Sequence, residues 1–185
     1  SSLRPSAKFG TPVNDTTDHP YRPSETPMCG LTGFIDFARH TAEDVLRERA
    51  GAMSETLRHR GPDDDGVWVD ADAGVAMGFR RLSIIDLSDM GHQPMVSSSG
   101  RYVIVFNGEV YNFRELRDAL APAGARFTGS SDTEVILEAI QAWGLEAAVR
   151  RFVGMFAIAL WDRKERTLHL VRDRIGVKPL YWGRQ

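Results

Sequence analysis

From residue 29 onward the chain gathers its strand-like runs and its helix-like runs into separate blocks, and that segregation limits the folds open to it more than any other feature. Short apolar runs at 29–37, 66–69, 74–79, 82–85 and 101–106 read as strands, punctuated by Gly, Asp, Ser and Pro turns. Helical periodicity follows at 41–59, 113–121, 133–143 and 145–152. Two further strand candidates, 155–161 and 167–172, flank the polar turn 162–166 and read as a hairpin. Such an order favours an α+β sandwich over a parallel sheet threaded by alternating helices. Neither GxGxxG nor GxxxxGK[ST] occurs, so no nucleotide-binding loop is visible.

Local signals sharpen several helices. Thr41 reads as the N-cap of the first, with Asp44 three residues on, and Val45, Met53 and Leu57 mark its apolar face. Asn112 with Glu115, and Ser131 with Glu134, have the spacing of capping boxes.

Residues 1–28 are different. They hold five of the nine prolines, many Ser and Thr, and almost no aliphatic side chains, which predicts a mobile leader. A net charge of -2 gives no electrostatic footprint for nucleic acid or for an anionic membrane surface. No apolar stretch is long enough to span a bilayer and no secretory signal core precedes residue 29, so a cytoplasmic location is expected.

Cys29 is the single cysteine and follows Met28 at the composition boundary. It cannot form an internal disulfide, and in an apolar strand it can serve simply as a small core residue. Removal of everything before it would change its chemistry, because the same residue would then carry a thiol and a free α-amine. An α-amine of pKa about 7.7–8.0 can take the thiol proton directly or through water, so no histidine is needed.

The residues around this boundary carry a family resemblance. Met28-Cys29-Gly30 followed by the strand, and HRGPDDDG at 59–66, are similar to class II glutamine amidotransferases, the N-terminal-nucleophile (Ntn) hydrolase type. RRLSIIDL at 80–87, FNGEVYNF at 106–113, SDTEVIL at 131–137 and RDRIGVKPLYW at 172–182 together resemble the glutaminase half of glutamine-hydrolysing asparagine synthetases. Amidophosphoribosyltransferases and glucosamine-6-phosphate synthases share parts of these motifs and fit them less well.

The resemblance implies a four-layer αββα sandwich, with Cys29 at the end of a central strand where two sheets meet. It implies Cys29 as nucleophile, with the Asn107 side chain and the Gly108 backbone N–H as an oxyanion hole. Asn-Gly is also a strong hairpin signal. Arg81 resembles the clamp for the glutamine α-carboxylate, Asp132 and Glu109 resemble the partners of its α-ammonium, and backbone groups of Leu82 and Ile84 line the site. Each has an ordinary alternative: a solvated arginine, a helix-capping carboxylate, two strand-core residues. His59 and the run Asp63–Asp65 lack recognisable ligand spacing and read as a structural loop rather than a metal site.

The expected chemistry is hydrolysis of the side-chain amide of free glutamine to glutamate and ammonia through a cysteinyl thioester. This domain needs no cofactor. ATP and magnesium belong to the family's synthetase domain, which this sequence lacks and which would accept the ammonia in cis or in trans. Three alternatives stay open: another nitrogen acceptor, a homodimer, and a silent glutamine-binding or docking domain should residues 1–28 remain attached.

Overall fold

The computed structural model describes residues 29–82 and 91–184. The leader and Ile84 lie outside the described residues, as does most of the strand expected at 82–85.

Two antiparallel sheets carry the fold. The first has the order β1 (Gly30–Ile35), β3 (Val75–Arg81), β2 (Asp64–Asp70), and the second runs β4 (Met95–Val96), β5 (Tyr102–Val110), β6 (Gly154–Asp162), β7 (Thr167–Arg172). Strand alternation divides their side chains between two faces. Val75, Met77 and Phe79 of β3 meet Val103 and Val105 of β5 and Ala159 and Trp161 of β6 in a buried inter-sheet layer, with Cys29, Leu31 and Ile35 packed against it. The opposite face of the first sheet is covered by α1 (Glu43–Glu55), through Leu46, Ala50 and Ala76. The opposite face of the second is covered by α2 (Phe113–Leu120), α3 (Asp132–Trp143) and α4 (Leu145–Val149), whose Leu116, Leu120, Ile136 and Ile140 pack on Ile104, Phe106, Phe156 and Ile158. The layers are therefore helix, sheet, sheet, helix, as the motifs imply.

Several local expectations shift. Among the described strands β3 occupies the centre of the first sheet and β1 lies at its edge, so Cys29 precedes an edge strand rather than a central one. Asn107 and Gly108 sit inside β5, paired with Ala157 and Phe156, and not in a hairpin turn. The buried stripe of α1 is Leu46, Ala50 and Ser54, with Val45, Met53 and Leu57 half-buried beside it. Its N-cap is Ala42, because Thr41 is engaged elsewhere: the Thr41 hydroxyl donates to Asp36 Oδ2 at 2.7 Å. Asn112 does not cap α2 with its side chain either; it accepts from Val153 N–H at 3.0 Å and donates to the Arg151 carbonyl at 3.0 Å. Ser131 does cap α3, accepting from Thr133 N–H at 3.1 Å, whereas Glu134 turns to the N–H groups of Thr128 and Gly129.

Arg80 shows how the alternation sorts neighbours. It points to the α1 side, where its Nε donates to the Ser54 carbonyl at 3.3 Å and its guanidinium pairs with Glu55. A cation at the last turn of a helix with no basic residue of its own there complements the helix dipole. Arg81, one residue on, belongs to the inter-sheet side.

Asp36 closes the β1–α1 turn, accepting from the Thr41 hydroxyl and from the N–H groups of Ala38, His40 and Thr41. The Thr41 hydroxyl is the main cause that its pKa falls from 3.8 to about 2, with burial opposing and the three N–H groups adding to the shift. A depressed carboxyl pKa stabilises the fold above the unfolded value and loses that contribution as pH falls through the folded one. Asp36→Asn is thus expected to lower the melting temperature near neutral pH, and the gap to the wild type should close below about pH 2; thermal unfolding of both proteins across acid pH checks it.

Candidate active site

The inter-sheet layer turns polar at one end, and the candidate residues lie there. Continuing the β1–β3 register one step beyond Gly30↔Arg80 sets Cys29 opposite Arg81. The Cys29 sulfur accepts from Leu82 N–H at 3.4 Å and lies 3.9 Å from the Leu82 carbonyl, while Arg60 Nε approaches the Cys29 carbonyl at 3.5 Å. Cys29 as a residue is only partly buried.

On the facing sheet, Asn107 and Glu109 continue the face that begins with Val103 and Val105. Asn107 is 6% exposed, and Glu109 opens to solvent. Gly108 has φ +155°, and a Cβ there would stand 2.6 Å from Phe156 Cα and collide with the Met155 carbonyl, so the strand demands glycine at this position. The middle of β5 is held by a residue the sequence reading missed. Gln93, 4% exposed, accepts from Phe106 N–H at 2.6 Å and donates to the Phe106 carbonyl at 3.2 Å, taking the place of a strand partner just before Asn107. Nothing in GHQPM distinguishes such a glutamine from a solvated one.

Asp132 opens α3 and reaches back to the same strand, accepting from Val110 N–H at 3.1 Å. Burial pushes its carboxyl up from 3.8 to about 6, opposed by the N–H groups of Val110 and Thr133 and assisted by the neighbouring Glu109 charge. It sits in the first turn of α3, where a carboxylate complements the helix dipole, and beside Glu109. Arg81 passes close to Gly91: a Cβ there would lie 2.8 Å from the guanidinium carbon. Leu82 is brought to the sulfur by its backbone; Ile84 lies outside the described residues.

Of the acidic run, Asp64 and Asp65 open β2, and Asp63 lies in the bend just before it. Asp64 pairs with His92 Nδ1 at 2.9 Å and Asp65 with Arg80 at 3.6 Å. His59 Nδ1 lies 3.1 Å from the Thr56 carbonyl, apart from that run. A cleft of about 420 Å³ bordered by His92, Met95, Arg126 and Glu138 contains none of the candidate residues.

The raised Asp132 carboxyl has a stability consequence. For an acid whose folded pKa exceeds the unfolded value, stability is full below 3.8 and declines as pH rises through about 6. Asp132→Asn, which keeps an acceptor for Val110 N–H, is expected to raise stability by about 1–3 kcal/mol at neutral pH and by nothing in acid. Chemical denaturation at the two pH values measures the difference.

A family profile described as a glutamine amidotransferase domain matches residues 28–185. A putative asparagine synthetase [glutamine-hydrolyzing] of Mycobacterium tuberculosis is 46% identical over 165 residues, covering 83% of this chain and 25% of that protein. Asparagine synthetase [glutamine-hydrolyzing] 3 of Bacillus subtilis is 39% identical over 160 residues, covering 85% and 25%. The chain thus spans about a quarter of the length of these curated relatives. Among solved structures, glutamine phosphoribosylpyrophosphate amidotransferase from B. subtilis superposes with a TM-score of 0.53 at 20% identity, over 77% of this chain and 36% of that one, a likeness of fold. With an αββα sandwich, a cysteine at the head of β1 and a profile match that begins one residue before it, the chain belongs to the glutamine amidotransferase domain family.

Proposed function

We propose that this domain hydrolyses the side-chain amide of free glutamine and supplies the ammonia to an asparagine-forming synthetase. The observation that carries the reading is the convergence of Cys29, Arg81 and the Asn107–Glu109 segment on the polar end of one inter-sheet layer.

In this mechanism the Cys29 α-amine, freed by removal of residues 1–28, takes the thiol proton, and the sulfur attacks the amide carbon. Negative charge moves to the former carbonyl oxygen, where the Asn107 amide and the Gly108 N–H stabilise it without giving up a proton; loss of one such donor typically costs about 100- to 1000-fold in rate. The C–N bond breaks, the amide nitrogen leaves as ammonia after receiving the proton, and a γ-glutamyl thioester remains. Water then attacks the thioester, releasing glutamate and restoring the thiol.

Recognition of both ends of a free amino acid excludes glutamine inside a peptide. Arg81 holds the α-carboxylate with two parallel N–H donors, and Asp132 with Glu109 receives the α-ammonium. The raised Asp132 carboxyl fits this role, since a buried carboxylate lacking a cation gains most when an ammonium arrives. The backbone of Leu82, which meets the Cys29 sulfur, completes the wall on that side.

An acceptor domain is supported by length and by surface. The relatives are more than three times as long, and residues 175–182 expose Ile175, Tyr181 and Trp182 at 87%, 90% and 79%, apolar area of the sort that a neighbouring domain covers.

Three outcomes test the assignment. Cys29→Ala is expected to abolish glutamine hydrolysis with an unchanged melting temperature, and retained turnover would overturn the nucleophile. Intact-mass analysis of the wild type should pair activity with a species that begins at Cys29; full activity in a chain that keeps residues 1–28 would remove the α-amine from the mechanism. Arg81→Lys is expected to raise the KM for glutamine about tenfold, because a point-charge ammonium loses the bidentate geometry; an unchanged KM would reject the clamp.

A further inference from the structure

The strand that carries Asn107 and Gly108 is covered unevenly. β5 is 9 residues long, but its outer neighbour β4 has only 2, and their ladder stops at Met95↔Ile104. Beyond Ile104 that edge of β5 has no strand partner among the described residues. Phe106 lies there and is 3% exposed, so its N–H and carbonyl cannot turn to water and would be costly to leave unpaired.

Side chains fill the edge instead. Along an antiparallel strand alternate residues send their backbone groups to the same side. Phe156, the ladder partner of Gly108, directs its N–H and its carbonyl to Asp173, away from β5. By this alternation Gly108 belongs with Tyr102, Phe106 and Val110 in the set that faces away from β6. Tyr102 N–H donates to Ser97 Oγ at 3.0 Å, Phe106 uses the Gln93 carboxamide, and Val110 N–H donates to Asp132 Oδ2 at 3.1 Å. Gly108 stands between the last two.

The Gln93 carboxamide fits its place in one orientation. Oε1 accepts from Phe106 N–H at 2.6 Å, while Nε2 donates to the Phe106 carbonyl at 3.2 Å and to Thr133 Oγ1 at 3.4 Å. An inverted amide would set donor against donor, and a carboxylate would lack both N–H groups. Thr133 follows Asp132 in α3, so one buried amide ties the residue before Asn107 to the residue after Asp132. The Gln93 backbone is held from the other sheet: a Cβ on Gly66 of β2 would collide with the Gln93 carbonyl, and the adjacent His92 Nδ1 lies 2.9 Å from Asp64 Oδ2.

We propose that Gln93 is a positioning residue of the oxyanion segment: its carboxamide replaces the strand partner that β4 does not supply at Phe106, and so fixes where the Asn107 side chain and the Gly108 N–H stand. The catalytic part of this role rests on the glutaminase reading, whereas the restraint on β5 can be seen without turnover.

The full chain is compared as wild type, Gln93→Met and Ser97→Ala by glutaminase kinetics, thermal unfolding and amide hydrogen exchange. Ser97→Ala removes a like bond from the far end of the same edge and is the control for a strand that is merely loosened. Gln93→Met, similar in length but apolar, is expected to lower kcat about 10- to 100-fold and to change KM by less than about threefold, because Arg81 and Asp132 remain to hold the substrate while displaced donors are missed chiefly in the transition state. Exchange at 106–110 should rise in this variant. Ser97→Ala is expected to keep kcat and to exchange faster only around Tyr102. An unchanged kcat in Gln93→Met, a loss carried by KM alone, or an equal fall of kcat in Ser97→Ala would overturn the proposal. Should Gln93→Met fail to fold, Gln93→Asn, whose amide is one methylene shorter, makes the same comparison. Faster exchange at 106–110 in Gln93→Met beside a wild type without glutaminase activity sinks the glutaminase reading and leaves the restraint standing; wild-type turnover with unchanged exchange at 106–110 in Gln93→Met sinks the role of Gln93 alone.

Discussion

The site depends on the apolar layer that joins the two sheets. Val75, Met77 and Phe79 from one sheet, and Val103, Val105, Ala159 and Trp161 from the other, leave water little room between the strands. At one end of that layer the same two-residue alternation delivers polar groups instead: Arg81 continues the series 75-77-79, Asn107 and Glu109 continue 103-105, and Cys29 precedes Leu31. A one-residue register slip in β3 would exchange Arg81 with Arg80 and send the candidate clamp beneath α1. Hydrophobic packing and site geometry are therefore one constraint, enforced by the pleat.

Charge at this end is arranged at some expense to the fold. Asp132 is raised to about 6 mainly by burial, with Glu109 adding to the strain, and Lys178 is depressed by burial and by Arg60. Asp173 and Asp36 are the opposite case: backbone N–H groups, and for Asp36 chiefly the Thr41 hydroxyl, lower both to about 2. The strained carboxylate lies where a ligand ammonium is proposed to arrive, and the relaxed ones hold turns. Such a division is expected where part of the stability is given up for binding.

Much of this was legible in the sequence because it depends on local pattern. The strand expected at 167–172 has those limits in the structure, and Ser131 caps α3 by the bond its spacing implies. The motifs implied four layers, and four are found. Competition between local signals was harder to read. Thr41 looks like a cap until Asp36, five residues earlier, takes its hydroxyl; Asn112 looks like a cap until the 151–153 segment folds back onto its amide. Gln93 was invisible for a different reason. It acts across more than ten residues of sequence, on Phe106, and no spacing rule connects a buried polar side chain to a partner brought by the tertiary fold. Asn107-Gly108 is the instructive middle case, a dipeptide with a strong turn signal that the pairing of β5 with β6 holds inside a strand.

The central claim is that glutamine passes through a covalent bond to the Cys29 sulfur. Rapid acid quenching of enzyme during turnover, followed by intact-mass and peptide analysis, observes that bond directly. The account predicts a γ-glutamyl adduct that maps to Cys29, accumulates with glutamine and decays as glutamate forms. Glutamate production at full rate with no adduct on Cys29 at any quench time, under conditions that preserve a synthetic thioester, would contradict it.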